Sequence, residues 1–157
     1  MNIYITDLST ICNPDDLAKK LSLSDLARFR SFKQKKRAIQ FLVAHAIKSE
    51  LENRFQYISI AHKDHLVIVA ASSAPIGVDI EDASKQRDFN SLGKFIGLKN
   101  IKTSDEFYRA FTLAEAKYKS NADASARFYK LQKYMICIIS NDQDITWENS
   151  ALVPEQI

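Results

Sequence analysis

The sequence predicts an α+β fold with mostly antiparallel strands. Short runs rich in β-branched and aromatic residues come as neighbours, Tyr57 to Ala61 with Leu66 to Ala71 and Phe128 to Leu131 with Tyr134 to Ile139, as expected for antiparallel hairpins. Longer stretches with apolar residues at helical spacing are mixed among them, without the strict strand–helix alternation of a doubly wound sheet. Neither GxGxxG nor GxxxxGK[ST] occurs, so no Gly-rich loop is available to cradle phosphates.

In chain order, Asn2 to Thr6 reads as a first strand. Asn13-Pro14-Asp15-Asp16 opens a helix, with Asn13 placed to cap it and Pro14 at the first helical position. Ser24 is the expected cap of one long helix running to Leu51, with Leu26, Phe29, Ile39, Leu42, Val43, Ala46 and Ile47 as its apolar stripe. A turn near Lys63-Asp64 joins the first hairpin. Ser72-Ser73-Ala74-Pro75 breaks the pattern before a strand over Ile76 to Glu81. Helical segments follow around Phe89 to Ile96 and from Ser104 to Lys119. The last ten residues are expected to be loosely ordered, and Tyr118 and Trp147 to pack.

At 157 residues, 46% hydrophobic and 26% charged, the chain suits one soluble domain unit with a real core. Its apolar runs are too short to span a bilayer, and Met1 to Ile5 does not resemble a signal peptide. A cytoplasmic location with Cys12 and Cys137 as reduced thiols is therefore expected. The net charge of +3 is unevenly distributed: Arg28, Arg30, Lys33, Lys35, Lys36 and Arg37 fall within ten residues without an acid among them. Such a patch suits a phosphorylated ligand or an acidic protein. No nucleic-acid-binding motif surrounds it.

The chemistry concentrates in two segments, Gly77-Val78-Asp79-Ile80-Glu81 and Phe111-Thr112-Leu113-Ala114-Glu115-Ala116-Lys117-Tyr118-Lys119. A strand D-x-E points both carboxylates to one face, and Glu115 and Lys119 at i, i+4 share a helix face. Three carboxylates and an ammonium gathered by a fold suit a hard divalent cation and a phosphate. Taken alone, Glu115 and Lys119 also fit a surface ion pair, and Asp79 and Glu81 an exposed edge. His62 and His65 read as ordinary polar residues rather than zinc ligands, and His45 as a helix-face residue.

Together the two segments resemble the signatures of the 4′-phosphopantetheinyl transferases, (I/V)-G-(I/V)-D-(I/V)-E and (F/W)-(S/C/T)-x-x-E-(A/S)-x-x-K. Phe41-Leu42-Val43-Ala44 and Ser59-Ile60-Ala61-His62 resemble further family segments. The central position of the acidic motif is similar to the larger, surfactin-synthetase-activating type. That resemblance implies a monomeric pseudo-dimer of two α/β halves, here Met1 to Ser73 (coenzyme and carrier contacts) and Ala74 to Ile157 (metal site). It implies Mg²⁺-dependent transfer of the phosphopantetheine arm of coenzyme A to a serine of an acidic acyl or peptidyl carrier protein, without nucleic acid or membrane. It assigns Asp79, Glu81 and Glu115 to the metal, Glu115 or a bound water to the serine proton, and Lys119 to the pyrophosphate. His62 would bond a phosphate. Arg28, Lys33, Lys36 and Arg37 would serve the coenzyme and the carrier. Ala61 in place of a serine, Gln40 in place of a basic residue, and the absent hairpin between Leu51 and Tyr57 depart from the pattern. These departures motivate the alternative of a weakened, carrier-binding homologue.

Overall fold

A computed structural model describes residues 1–95, 97, 101–148 and 152–157. Its six main strands are β1 (Asn2–Asp7), β2 (Tyr57–Lys63), β3 (Leu66–Ser72), β4 (Ile76–Asp82), β5 (Ala126–Leu131) and β6 (Tyr134–Ser140), with short strands β7 (Thr146–Glu148) and β8 (Glu155–Gln156). The helices are α1 (Pro14–Ala18), α2 (Leu23–Ser31), α3 (Lys35–Leu51), α4 (Phe89–Phe95) and α5 (Ser104–Ser120). The class is α+β, in two four-stranded sheets ordered β2-β3-β1-β7 and β4-β6-β5-β8. Among the described residues, all pairings are antiparallel except β1 with β7.

The two sheets repeat one connectivity: a strand, helices, then a hairpin whose second strand pairs with the first. β7 crosses the boundary expected at residue 73, because it joins the first sheet beside β1. The inner faces of both sheets pack into one apolar core containing Ile3, Ile5, Ile68, Val78, Ile80 and Ile136. α3 covers the outer face of the first sheet through Val43, Ala44 and Leu51. α5 covers the outer face of the second through Phe107, Tyr108 and Ala116. The edges β2 and β4 meet where Ser59 Oγ accepts a hydrogen bond from the Val78 amide at 3.0 Å. Among the described residues, no helix is long and apolar enough to cross a membrane.

Two local expectations are corrected. The single helix from Ser24 to Leu51 is broken, with Phe32 and Gln34 in extended conformation, and Ser22 rather than Ser24 caps α2 by accepting from Asp25 N. Lys33, Lys36 and Arg37 would stack at i, i+3 and i, i+4 in an unbroken helix, which like charges disfavour. Phe32 instead packs on Phe41 with ring centroids 5.2 Å apart. The last ten residues are not uniformly loose, since Glu155 and Gln156 pair with β5. Asn13 and Pro14 start α1 as expected.

α5 is specified at both ends. Thr103 and Glu106 form a reciprocal capping box, and Asn121 closes the helix in left-handed conformation at φ 47°. Asp105 and Glu106 lie in the first turn and Lys117 and Lys119 in the last, matching the helix dipole. The helix lies against β4 at Gly77, where an added Cβ would sit 2.0 Å from the Ala116 carbonyl oxygen and 2.8 Å from the Ser120 amide nitrogen. Both obstacles are backbone atoms. Gly77→Ala is therefore expected to destabilise the fold at or above the upper end of the ~1–3 kcal/mol usual for overpacking, read by denaturant unfolding. A loss of less than about 0.5 kcal/mol would contradict this seam.

Candidate functional site

Alternation along β4 builds the site. Ile76, Val78 and Ile80 enter the core between the sheets, so Gly77, Asp79 and Glu81 face α5. Asp79 is 7% exposed. Its Oδ1 accepts from Lys119 Nζ at 2.8 Å, and the same ammonium donates to the Val78 carbonyl at 3.1 Å. Asp79 Oδ2 is buried without a hydrogen-bond partner. Burial raises the Asp79 pKa to about 6; Lys119 opposes the rise, and Glu81 and Glu115 add to it. Glu115, half-buried on α5, makes no hydrogen bond or ion pair among the described residues.

Glu81 is held differently. Lys63, at the end of β2, bonds its Oε2, and Arg87 stands 3.5 Å from the same oxygen. The Arg87 guanidinium also lies 5.9 Å from the centre of the Tyr108 ring. Neither Lys63 nor Arg87 was marked by the motifs. The signal in the sequence for Lys63 is its place directly after His62, at the turn of the first hairpin.

Two cavities meet at Arg37 and His62. The first, about 430 Å³, has an apolar floor of Phe32, Phe41 and Ile60 with Arg28, His45 and Arg37 around it. The second, about 450 Å³, is polar and is lined by Lys36, Arg37, Gln40, Lys63, Glu81 and Lys85 among others. Arg37 Nη1 lies 3.3 Å from His62 Nε2. Burial, together with the charges of Arg37, Lys119 and Lys63, holds the His62 imidazole below its ordinary value. It is therefore neutral at pH 7 and able to donate or accept a hydrogen bond.

The structure thus brings Arg28, Lys36, Arg37, His62 and Glu81 to the cavities, and Asp79, Glu115 and Lys119 together on the β4–α5 seam. Lys33 is exposed and lines neither cavity. Ala61 lies in the core between the sheets, so a serine there would point its hydroxyl inward, and this departure removes no cavity contact. Gln40 is 4% exposed and donates to the Asp64 carbonyl at 3.0 Å, pinning the β2–β3 turn to α3. His45 belongs to the first cavity, stacked on Phe41 with ring centroids 3.8 Å apart. Its Nδ1 lies 3.2 Å from Asp25 Oδ1, an ion-pair distance without hydrogen-bond geometry. Tyr118 does not pack; it is 86% exposed. Trp147 does, edge-on to Tyr129 at 5.1 Å between ring centroids.

Among the described residues, no three His, Cys, Asp or Glu side chains stand together at a spacing that would hold one ion. Lysine and arginine side chains stand on Asp79 and Glu81 instead. The chemistry of the donors nonetheless fits a hard divalent cation. Asp79 Oδ2 and Glu115 are uncommitted oxygen ligands. The Asp79 pKa, raised first by burial and further by the charges of Glu81 and Glu115, marks a carboxylate whose ionised form a nearby cation would stabilise. In comparisons with known proteins, no family model and no curated protein matches the chain.

The Asp79 carboxyl makes stability pH-dependent with a definite sign. It titrates near 3.8 when unfolded and at about 6 when folded, so the native state binds more protons between these values. Stability falls as pH rises through that window, and a constant penalty remains above it. Asp79→Asn keeps a neutral group of the same shape. It is expected to exceed the parent in unfolding free energy by about 1–3 kcal/mol near pH 7.5 and to match it near pH 3.5. A variant equally or less stable at the higher pH would contradict the burial assigned to this carboxylate.

Proposed function

We propose that the chain transfers the 4′-phosphopantetheine arm of coenzyme A to a serine of an acyl or peptidyl carrier protein, like the larger transferases it resembles. The observation that carries the reading is the adjacency of the acidic seam, Asp79, Glu81, Glu115 and Lys119, to two joined cavities bearing Arg28, Lys36, Arg37 and His62. The first cavity combines aromatic rings with guanidinium groups, which suits a base carrying a phosphate. The second, crowded with cations, suits a diphosphate.

Asp79, Glu81 and Glu115 would hold Mg²⁺, which offsets charge on the diphosphate when bound. The residues of the chain supply the remaining chemistry. Glu115, unpaired and half-buried, accepts the proton of the carrier serine directly or through a water. The serine oxygen bonds to the phosphorus bearing the pantetheine arm. The diphosphate P–O bond breaks, and its electron pair leaves with adenosine 3′,5′-bisphosphate. Lys119, fixed by the Val78 carbonyl, would stabilise charge developing on the diphosphate. The exposed Arg28, Arg30, Lys33 and Lys35 would supply positive charge for an acidic carrier.

A second reading, a carrier-binding module without turnover, draws on the ion pairs that occupy Asp79 and Glu81. Incubation with coenzyme A, Mg²⁺ and a panel of apo carrier proteins, read by intact mass, separates the two. Transfer is expected to add one phosphopantetheine to a carrier, and Asp79→Ala to abolish it while the protein stays folded. Binding of a carrier with no mass gain across the panel would favour the second reading. Replacing Lys36 and Arg37 by Ala is expected to raise KM for coenzyme A more than it lowers kcat. Unchanged kinetics would remove both residues from the ligand site.

A further inference from the structure

We propose that Lys63 is a resident countercation for Glu81 that a divalent ion must displace, and that the released ammonium turns into the 450 Å³ cavity to meet the phosphates of the ligand. The inference rests on the metal assignment of the proposed function and concerns how that site is filled.

The seam is balanced without an ion. Asp79, Glu81 and Glu115 contribute three negative charges, and Lys63, Arg87 and Lys119 three positive ones. The Lys63–Glu81 pair is shielded, with side chains 18% and 13% exposed, so its charges interact more strongly than a surface pair. A divalent ion added to this set leaves a local excess of two positive charges in a poorly solvated place. One side-chain cation then has reason to leave.

The structure distinguishes the three candidates. Lys119 is anchored a second time by the Val78 carbonyl at 3.1 Å. Arg87 is held over the Tyr108 ring. Lys63 has Glu81 as its sole hydrogen-bond and ion-pair partner among the described residues, and it already lines the open polar cavity. Lys36, Arg37 and Lys85 line that cavity too, with Asp64 at ion-pair distance from both lysines. An ammonium rotating into it therefore adds to a net positive charge that one carboxylate does not offset, and favours an anion there. Arrival of the ion and arrival of a phosphate should therefore favour one another.

The test uses the whole protein and calorimetric titration, without measuring turnover. Mn²⁺ is titrated alone, then inorganic pyrophosphate with and without Mn²⁺, into the parent, Lys63→Met, Lys63→Gln and Lys63→Arg, each checked for a cooperative thermal melt. Removing the resident charge is expected to tighten Mn²⁺ binding about tenfold in Lys63→Met and Lys63→Gln. It should also abolish the roughly tenfold gain in pyrophosphate affinity that Mn²⁺ gives the parent. Lys63→Arg should behave like the parent. A purely structural lysine would not tighten metal binding when removed, so unchanged or weaker Mn²⁺ affinity in both neutral variants overturns the role of Lys63 alone. Absence of Mn²⁺ binding in the parent and in both neutral variants overturns the metal assignment together with it.

Discussion

The seam between β4 and α5 sets everything else in the candidate site. At Gly77 the two backbones approach so closely that a methyl group would lie 2.0 Å from the Ala116 carbonyl oxygen. Ala116 and Ser120 are the buried contact residues, four apart on one helix face. Glu115 and Lys119 each precede one of them, so they form a parallel row beside the contact. On the strand, Asp79 follows Gly77 by two residues and therefore faces the same way. The helix caps and the glycine thus bring together three polar side chains, Asp79, Glu115 and Lys119, from segments about forty residues apart.

Gathering them has an electrostatic consequence. A carboxylate at 7% exposure beside two others is unfavourable unless cations offset it. The chain meets this with Lys119 on Asp79 and with Lys63 and Arg87 on Glu81, leaving Asp79 Oδ2 and Glu115 unused. The cross-strand partner of Asp79 is Cys137, whose thiol is pushed up to about 12 by burial and by the Asp79 charge. It remains a neutral thiol and neither balances the carboxylates nor competes for a hard cation. Local charge is balanced by the chain's own cationic side chains, of which Lys63 alone has Glu81 as its single partner among the described residues.

Much of this was legible in the sequence because period and punctuation were clear. The D-x-E on a strand, the E-x-x-x-K on a helix and the two hairpins all rest on short-range rules, and the structure bears out the α+β class with antiparallel strands. The rest depended on tertiary proximity. Lys63 and Arg87 reach Glu81 only because β2 lies beside β4 and because Tyr108 holds the guanidinium. His45 reads as a helix-face residue, and only the break at Phe32 to Gln34 opens a cavity above it and Phe41. β7 and β8, three and two residues long, are too short to show a period. Tyr118 was misread as packing because an aromatic inside a motif gives no sign of which face it occupies.

The central claim is that Asp79, Glu81 and Glu115 form one divalent-cation site on the β4–α5 seam. Paramagnetic broadening of backbone amide signals during sub-stoichiometric Mn²⁺ addition tests it most directly, since the effect falls steeply with distance from the ion. The account predicts that residues 78–82 and 114–116 broaden first and together, before the exposed acids Asp105 and Glu106. Broadening that begins at those surface acids, or spreads evenly over the chain while the seam stays sharp, would contradict it.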